Sequence, residues 1–369
     1  MQTKKCHLIS HGISINSENI EACCLCRGLD EQGHPLIIEN FETENFDWEH
    51  LLNLKDIQIE QLKNDELDSC KGCYVINQYE CPSKGKFIAF INFNHWTHCN
   101  SNCIYCQRAK KPKPPRNTYN MMKSLIEKGL FNDEGEITFQ GGEPTLLDEF
   151  DDLINLFAVQ NTIIRVHTSG IKFSSALAKA LDNSKTQIII SPDAGTPETY
   201  KKIKKVSKLE QVFNNAEKYI SSTKLEFAHN VKLKYIIIPG YNDTIEEICE
   251  FFKRATKANV KSVIVDIEAE YYYKYKKRAL HNIKLLLDFF VYKGKQLGID
   301  IGYYDSVIYF KSKRSSKNLL PVENDTMYKF ANGALRFLYK ILNIDYMRNF
   351  VKDPLLVETE DEKESILIS

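Results

Sequence analysis

The chain has 369 residues, enough for one large α/β domain with a smaller one beside it. Its 49 Lys and Arg residues balance its 49 Asp and Glu residues, so its net charge gives no general attraction to nucleic acid or acidic lipid. Its eleven cysteines are odd in number and occur in closely spaced groups, which indicates metal ligation in a reducing compartment and argues against a disulfide framework.

No apolar targeting segment is evident. The first residues contain no apolar core of signal-peptide length. No run of about eighteen apolar residues occurs, so no membrane span is predicted. We therefore expect a cytoplasmic protein that does not interact with membranes.

The first 85 residues are predicted to form a cysteine-rich N-terminal module. Gly12–Ile15 and Ile20–Cys23 have the composition of the two arms of a short hairpin, and residues 36–38 that of a further strand. Trp48 to Lys63 has apolar residues at helical spacing, with Asp47 as the predicted N-cap.

Two C-x2-C pairs occur in this module, Cys23 with Cys26 and Cys70 with Cys73. Together they have the form of a four-cysteine metal site. A structural zinc would fold a segment that lacks a core of its own, whereas an iron–sulfur cluster would add a redox or substrate-binding role. For some cysteines of the module, although not Cys70 and Cys73, an ordinary buried thiol is the alternative.

From residue 86 to about residue 300, strand and helix patterns alternate. Strands are predicted at residues 87–93, 137–139, 162–167, 187–190, 231–238 and 260–267. The intervening helices include one capped by Ser207 with Glu210 and one opened by Asp243 with Glu246. Near-continuously apolar strands imply a parallel sheet covered by helices, and such sheets place their chemistry at the C-terminal strand ends.

Cys99, Cys103 and Cys106 follow the first of these strands in a C-x3-C-x2-C pattern. Three thiolates on one tight loop do not close a tetrahedral zinc site by themselves. They can hold three irons of a [4Fe–4S] cluster and leave the fourth iron open to a small molecule. The spacing therefore predicts an iron–sulfur site with an open iron.

A second motif, Gly141-Gly142-Glu143-Pro144, follows the second strand. Glycines let a backbone approach a ligand closely, and a carboxylate can accept hydrogen bonds from an ammonium group. Taken alone, the two glycines would be interpreted as a strand-to-helix turn.

The two motifs together, with Tyr105 just before the last cysteine, resemble the signature of the radical S-adenosylmethionine (SAM) superfamily. The resemblance implies a partial (β/α)6 barrel and a [4Fe–4S] cluster held by Cys99, Cys103 and Cys106, with SAM on the open iron. It implies reductive cleavage of SAM to a 5′-deoxyadenosyl radical that abstracts hydrogen from a substrate. A flavodoxin- or ferredoxin-type protein would donate the electron.

The resemblance also assigns residues that contact SAM. Gly141, Gly142, Glu143 and Pro144 would hold its methionyl end, and Tyr105 would lie beside the adenine. The remaining contacts would come from residues after the later strands: Thr168, Ser169, Ser191 and Asp193. Turn and cap residues have the same composition, so that interpretation stays open.

Asp266 and Glu268 follow the sixth strand, and as alternate residues they would share one face of it. They are candidates for binding a polyol or an amine, or for accepting a proton. Ordinary loop charges are the alternative.

The segment around Cys6 and Gly12 is similar to half of an auxiliary-cluster motif of the superfamily, of the SPASM or twitch type, moved to the front of the chain. This resemblance implies a second [4Fe–4S] cluster, or zinc. The implied ligands are Cys6, Cys24, Cys70 and Cys73, with Cys23, Cys26 and Cys81 as alternates.

The expected substrate is a peptide or a sugar, with an auxiliary cluster assisting a two-electron oxidation. One alternative is a tRNA-modifying enzyme that uses the basic residues 108–116, although the neutral net charge argues against nucleic acid. Another is an iron–sulfur or zinc protein without SAM chemistry, against which the intact Gly-Gly-Glu-Pro argues. Residues 301–369 are predicted to be a C-terminal extension with a helix and an acidic tail.

Overall fold

The computed structural model describes residues 5–17, 19–23, 37–39, 42–67, 70, 86–106, 117–268 and 278–303. The strands are β1 (Gly12–Asn16), β2 (Asn19–Glu21), β3 (Ile37–Glu39), β4 (Ile88–Asn94), β5 (Phe131–Phe139), β6 (Ile163–Thr168), β7 (Thr186–Ile190), β8 (Val231–Ile237), β9 (Ser262–Ile267) and β10 (Asp300–Tyr303). The helices are α1 (His7–His11), α2 (Trp48–Lys63), α3 (Tyr119–Glu127), α4 (Phe150–Ala158), α5 (Ser175–Ala180), α6 (Pro197–Lys204), α7 (Leu209–Ser221), α8 (Ile245–Lys257) and α9 (Arg278–Gln296), with short 3-10 turns at Pro144–Leu146 and Leu225–Asn230.

All ten strands form one sheet, in the order β10-β9-β8-β7-β6-β5-β4-β1-β2-β3. From β4 to β10 the strands follow each other in chain order, and each neighbouring pair is parallel. Parallel neighbours require a crossover, which the intervening helices supply. The sheet ends at β10 and β3, so it is open over the described residues, as in a partial barrel. The predicted α/β fold class is confirmed.

One face of the sheet is apolar. Strand residues such as Ile164, Val166 and Leu233 lie in the main hydrophobic core together with helix residues such as Leu153 and Phe251. Branched side chains at alternate strand positions pack well against helices, which explains why these segments form strands here.

The opposite face is polar. Its half-buried side chains come from four neighbouring strands: Thr138, Arg165, His167, Gln187, Lys232 and Lys234. Arg165 pairs with Glu136, and Lys234 Nζ lies 3.0 Å from Asp266 Oδ2. Burial, followed by the positive charges of Lys234 and Arg165, lowers the pKa of His167 to about 4. This face therefore offers fixed charges of both signs to a polar molecule.

The N-terminal strands continue the same sheet. β1 lies between β4 and β2, and Ile15 pairs with Ile20 in the predicted antiparallel hairpin. The predicted helix is α2, and Asp47 caps it by accepting a 2.9 Å hydrogen bond from the His50 backbone. The division into residues 1–85, 86–300 and 301–369 stays a prediction, and residues 304–369 lie outside the described part of the chain.

Two predicted helix caps are wrong. The side chain of Thr244 caps α8, accepting from the Glu247 backbone at 3.3 Å, whereas Asp243 accepts from the Gly240 backbone in the preceding turn. Lys208 is the N-cap residue of α7, without a side-chain cap bond, so the predicted capping box does not form. Within the described residues, no helix has both the length and the hydropathy needed to cross a membrane.

Candidate cluster and SAM site

The loop that carries the three cysteines leaves the C-terminal end of β4. The Gly142 backbone donates to Trp96 O at 3.1 Å, and the Glu143 backbone donates to His98 O at 2.8 Å. These two bonds attach the first half of the loop to the turn after β5. The loop that carries the C-x3-C-x2-C motif is therefore in direct contact with the Gly-Gly-Glu-Pro motif.

The second half of the cysteine loop docks on the end of α6. Asn102 N donates to Lys204 O and Ile104 N donates to Ile203 O, each at 3.0 Å. The last carbonyls of a helix have no partner inside the helix, so they are available to a neighbouring backbone. The loop is thus held between β5 and α6 by backbone hydrogen bonds.

The three thiols of the loop are partly accessible. Cys99 Sγ lies 3.5 Å and Cys103 Sγ lies 3.8 Å from the hydroxyl oxygen of Ser101, so both thiols contact this one hydroxyl. In the part of the chain that the structure describes, no three His, Cys, Asp or Glu side chains converge to bind a single metal ion. A [4Fe–4S] cluster attaches each thiolate to a different iron, so its ligands need not converge on one metal ion.

Gly141 and Gly142 are required by contacts within the protein. Gly141 has φ +97, and a Cβ there would lie 2.5 Å from Asn94 Oδ1. A Cβ at Gly142 would collide with the Trp96 ring and with His98 O. The two glycines therefore let the β5 turn and the cysteine loop meet.

The carboxylate of Glu143 is buried and accepts four hydrogen bonds. Two come from Thr145, from its backbone at 3.3 Å and its hydroxyl at 2.7 Å. The others come from the Thr168 hydroxyl at 2.6 Å and the Ser169 backbone at 2.7 Å. The Ser169 hydroxyl in turn donates to Asn100 Oδ1 at 3.0 Å, which links the end of β6 to the cysteine loop.

A second buried carboxylate lies beneath the loop. Asp193 has φ +51 and its side chain is fully buried. Its Oδ1 accepts from the Ile236 backbone at 2.7 Å, and its Oδ2 accepts from the Tyr105 hydroxyl at 2.6 Å and from Lys204 Nζ. Lys204 Nζ also donates to the Tyr105 hydroxyl at 2.6 Å. Asp193 thus joins the loop, α6 and β8.

Lys204 is charged despite its burial. Burial acts to lower its pKa, but Asp193, Cys103 and Cys99 outweigh it, so the pKa of Lys204 is raised. Burial, with the charges of Asp193 and Cys103, raises the pKa of Tyr105 well above its usual range. A fixed positive charge and a neutral phenol therefore lie next to the cysteine loop.

The hydroxyl of Tyr200 has no hydrogen-bond partner among the described residues, although the side chain is buried. Burial raises the pKa of this phenol, and the charges of Cys103, Asp193, Cys99 and Glu143 act in the same direction, so it lies near both motifs. A buried polar atom without a partner points to a group that binds there. The residues present therefore fit a cluster with a polar ligand.

The other residues predicted for this site lie at the same edge of the sheet. The Ser191 backbone donates to Thr168 O at 3.1 Å, and Pro144 is buried in the turn after Glu143. Burial raises the pKa of Asp266, against the effect of Lys234, and Asp193 is near enough to act on it. The Glu268 backbone donates to Ile237 O at 3.0 Å.

Three cysteines of the N-terminal segment, Cys6, Cys23 and Cys70, are buried together in a small cluster of their own. Burial lowers the pKa of the adjacent Lys55 to about 7, while the charges of Cys23 and Cys6 oppose that shift. The other proposed ligands, Cys24, Cys26, Cys73 and Cys81, lie outside the described residues, as do the basic residues 108–116.

Residues 93–254 match the family model described as the radical SAM superfamily. The chain carries a radical SAM domain. The superfamily implies a [4Fe–4S] cluster and SAM, and the matched residues include both motifs of the site just described.

The curated relatives match this chain over about half of its length. GTP 3′,8-cyclase of Clostridium botulinum (strain Okra / Type B1) is 23% identical over 189 residues, which cover 50% of this chain and 57% of the relative. The probable GTP 3′,8-cyclase of Methanocaldococcus jannaschii is 26% identical over 169 residues, which cover 44% of this chain and 55% of the relative. The chain thus spans about half the length of the curated relatives it matches.

Among solved structures, Streptococcus suis SuiB bound to the precursor peptide SuiA has a TM-score of 0.50 to this chain. The identity is 12%, and the match covers 78% of this chain and 74% of SuiB. At this identity the comparison shows that SuiB and this chain have a similar fold, and no more.

Two residues important to the site, Lys204 and Tyr200, were not singled out by the sequence. Lys204 is one of several lysines between residues 201 and 205, and the spacing gives no reason to prefer it. Both residues lie on α6, which the sequence patterns do not predict. An amphipathic pattern starting at Thr196-Pro197 is the signal that identifies this helix.

We predict that Gly142→Ala destabilises the protein by about 1–3 kcal/mol, because the added methyl group must displace Trp96 or the backbone of His98. Urea unfolding followed by tryptophan fluorescence measures the change. Gly302→Ala is the matched control, since the nearest atom to a Cβ there is 3.8 Å away. Equal unfolding midpoints for the two variants would contradict this account of the turn.

We predict that Lys204→Met destabilises the protein by about 3–5 kcal/mol, because it leaves the Asp193 carboxylate buried without its cation. Adding Asp193→Asn should recover part of the loss, and the coupling is read from a double-mutant cycle of denaturant unfolding. Lys202→Met, on the exposed side of the same helix, is the control. Additive effects of the two substitutions would show that the pair is not coupled.

Proposed function

We propose that the chain is a radical SAM enzyme that abstracts hydrogen from a peptide or sugar-type substrate. The observation that carries the proposal is the docking of the cysteine loop on the Gly-Gly-Glu-Pro turn through Trp96 and His98. That contact places three partly accessible thiols and two glycines at one point of the carboxyl edge of a parallel sheet. Ligands bind at this edge in such folds.

Cys99, Cys103 and Cys106 would hold the cluster, which leaves one iron for SAM. When bound, cluster and SAM supply reductive cleavage of the sulfonium to methionine and a 5′-deoxyadenosyl radical, with the electron coming from a flavodoxin- or ferredoxin-type donor. The chain's own part is to bind, orient and shield these groups.

Glu143 acts as a positioning residue in this proposal. Its Oε1 accepts from Thr145 and Thr168, and its Oε2 accepts from the Ser169 backbone, so the carboxylate is tied to both turns. Its role is then to fix the backbone of the Gly-Gly turn and of Thr168-Ser169 around the methionyl end of SAM. Oε2, which accepts one of these bonds, keeps acceptor capacity for the ammonium group of SAM.

Asp193 and Lys204 act in the same indirect way. They hold Tyr105 through its hydroxyl and so fix the last turn of the cysteine loop. The Lys204 ammonium also supplies positive charge close to Cys103 and Cys99, where bound thiolates would concentrate negative charge. The hydroxyl of Tyr200 is free to donate to a group bound between the motifs.

The substrate would lie against the polar face of the sheet. Arg165, Lys232 and Lys234 on this face, with Glu136 and Asp266, suit a molecule that carries hydrogen-bonding groups and charges of both signs, as a peptide does. The likeness in fold to SuiB, which was solved with a precursor peptide, is in keeping with such a substrate. Asp266 and Glu268 are the candidates for contacting it.

We predict that the reconstituted wild-type protein forms 5′-deoxyadenosine from SAM under strong reductant, and that Cys99→Ala forms none, because the cluster loses a ligand. Liquid chromatography with mass spectrometry measures the product. Cys249→Ala, which removes a half-buried thiol on α8, is the control and should retain the activity. Formation of 5′-deoxyadenosine by Cys99→Ala at the wild-type rate would rule out the proposed cluster site.

A further inference from the structure

The polar face of the sheet contains a cation that pairs with no carboxylate among the described residues. Lys232 is the second residue of β8 and is half-buried. Its Nζ donates to Gln187 Oε1 on the neighbouring strand β7, at 3.1 Å. The next lysine on the same face of β8, Lys234, lies instead 3.0 Å from the carboxylate of Asp266. An amide oxygen carries no net charge, so the charge of Lys232 is not balanced by its partner.

A second cation lies close to Lys232. Arg165, on β6, is in register with Gln187, so the Gln187 side chain lies between the two cations. Burial, and then the positive charge of Arg165, lowers the pKa of Lys232. The arrangement therefore holds two like charges near each other on a face that is partly shielded from water.

Both cations have hydrogen-bond donors to spare within the described part of the chain. Arg165 donates through Nη1 to Glu136, and its side chain is 38% exposed. A guanidinium has five N–H donors and an ammonium has three, so each group can donate to a further acceptor. An oxyanion that accepts from both would offset their repulsion and form charge-assisted hydrogen bonds, which are the strong ones.

We propose that Lys232 and Arg165 bind a carboxylate or phosphate group of the substrate. Gln187 orients the Lys232 ammonium for this contact, and Glu136 orients the guanidinium. The proposal deepens the proposed function and rests on it, because it takes the polar face as the substrate site. It adds that the substrate is an anion and states which end of it lies deepest.

The position of this pair along the strands sets the length of the substrate. Gln187 precedes Ser191 by four residues, and Ser191 is the first residue after β7 at the edge that carries the cysteine loop. Four strand residues rise about 13 Å, at roughly 3.3 Å per residue. A substrate that reaches both places is therefore an extended molecule, with its acidic group about 13 Å from the part that lies at the SAM edge.

The test titrates the full, reconstituted protein with inorganic phosphate and, in a second arm, with acetate, at constant ionic strength set with sodium chloride. Thermal unfolding is measured at each concentration. We expect one of the two anions to raise the Tm of the wild type saturably, by about 2–4 °C at tenfold excess over its Kd. The anion that binds more tightly distinguishes a phosphate group from a carboxylate.

Lys232→Met should bind the same anion at least tenfold more weakly, because it loses a charged hydrogen-bond donor. Lys179→Met is the matched control, since Lys179 is exposed on α5, and it should bind as the wild type does. Lys232→Arg keeps the charge and should retain most of the binding. No saturable rise in the wild type, or equal binding by Lys232→Met and the wild type, would overturn the proposal.

A further variant covers the possibility that Lys232→Met fails to fold. Lys232→Gln removes the charge and keeps a hydrogen-bond donor for Gln187, and it should show the same loss of anion binding. Retention of binding in Lys232→Gln would refute the site.

The binding test and the SAM test can fail separately. Anion binding that depends on Lys232, in a protein that forms no 5′-deoxyadenosine, would refute the proposed function and leave the anion site in place. Formation of 5′-deoxyadenosine by a wild type that binds neither anion would refute the anion site alone.

Discussion

The cysteine loop has no regular secondary structure, so the geometry of its three thiols depends on how the loop is held. Backbone hydrogen bonds attach it to the Gly-Gly turn on one side and to the end of α6 on the other. Both supports depend in turn on buried carboxylates: Glu143 ties the turn to β6, and Asp193 ties α6 and Tyr105 to β8. Each carboxylate is satisfied by several donors, which makes these polar groups compatible with burial.

As a result, the two ends of the strands carry different groups of side chains. The carboxyl edge carries the cysteine loop and the strand-end residues around it, while Cys6, Cys23 and Cys70, with Lys55, lie towards the amino ends of β1 and β4. The polar face, with Arg165 and Lys234, runs between the two edges. A substrate on that face would lie beside the SAM site without entering the apolar core, which the helices cover on the other side.

Much of the fold follows from local pattern. The apolar strands, their parallel order, the N-terminal hairpin and the Asp47 cap all agree with the sequence, because alternation and capping are short-range signals. The cap of α8 was wrong by one residue, since Asp243 and Thr244 are both good caps and only the preceding turn decides between them. Helix α6 was not predicted, although the Thr196 cap, Pro197 at the first position and an amphipathic pattern are present in its sequence.

The site was predictable in outline and not in its contacts. Spacing alone identified Cys99, Cys103 and Cys106 as a group, and placed Thr168, Ser169 and Asp193 at strand ends. It did not predict long-range pairs such as Asp193 with Lys204. Nor did it explain why residue 142 is a glycine, which is that any Cβ there would collide with Trp96.

The central claim is that one iron of the loop cluster is open to SAM. Its most direct test is the electron paramagnetic resonance spectrum of the reduced, reconstituted protein before and after SAM is added. A variant in which Cys99, Cys103 and Cys106 are all replaced by Ala, measured in parallel, shows which signal belongs to the loop cluster. The account predicts a [4Fe–4S] signal whose g values change on addition of SAM. A signal that SAM leaves unchanged would show a cluster with no open iron and would contradict the account.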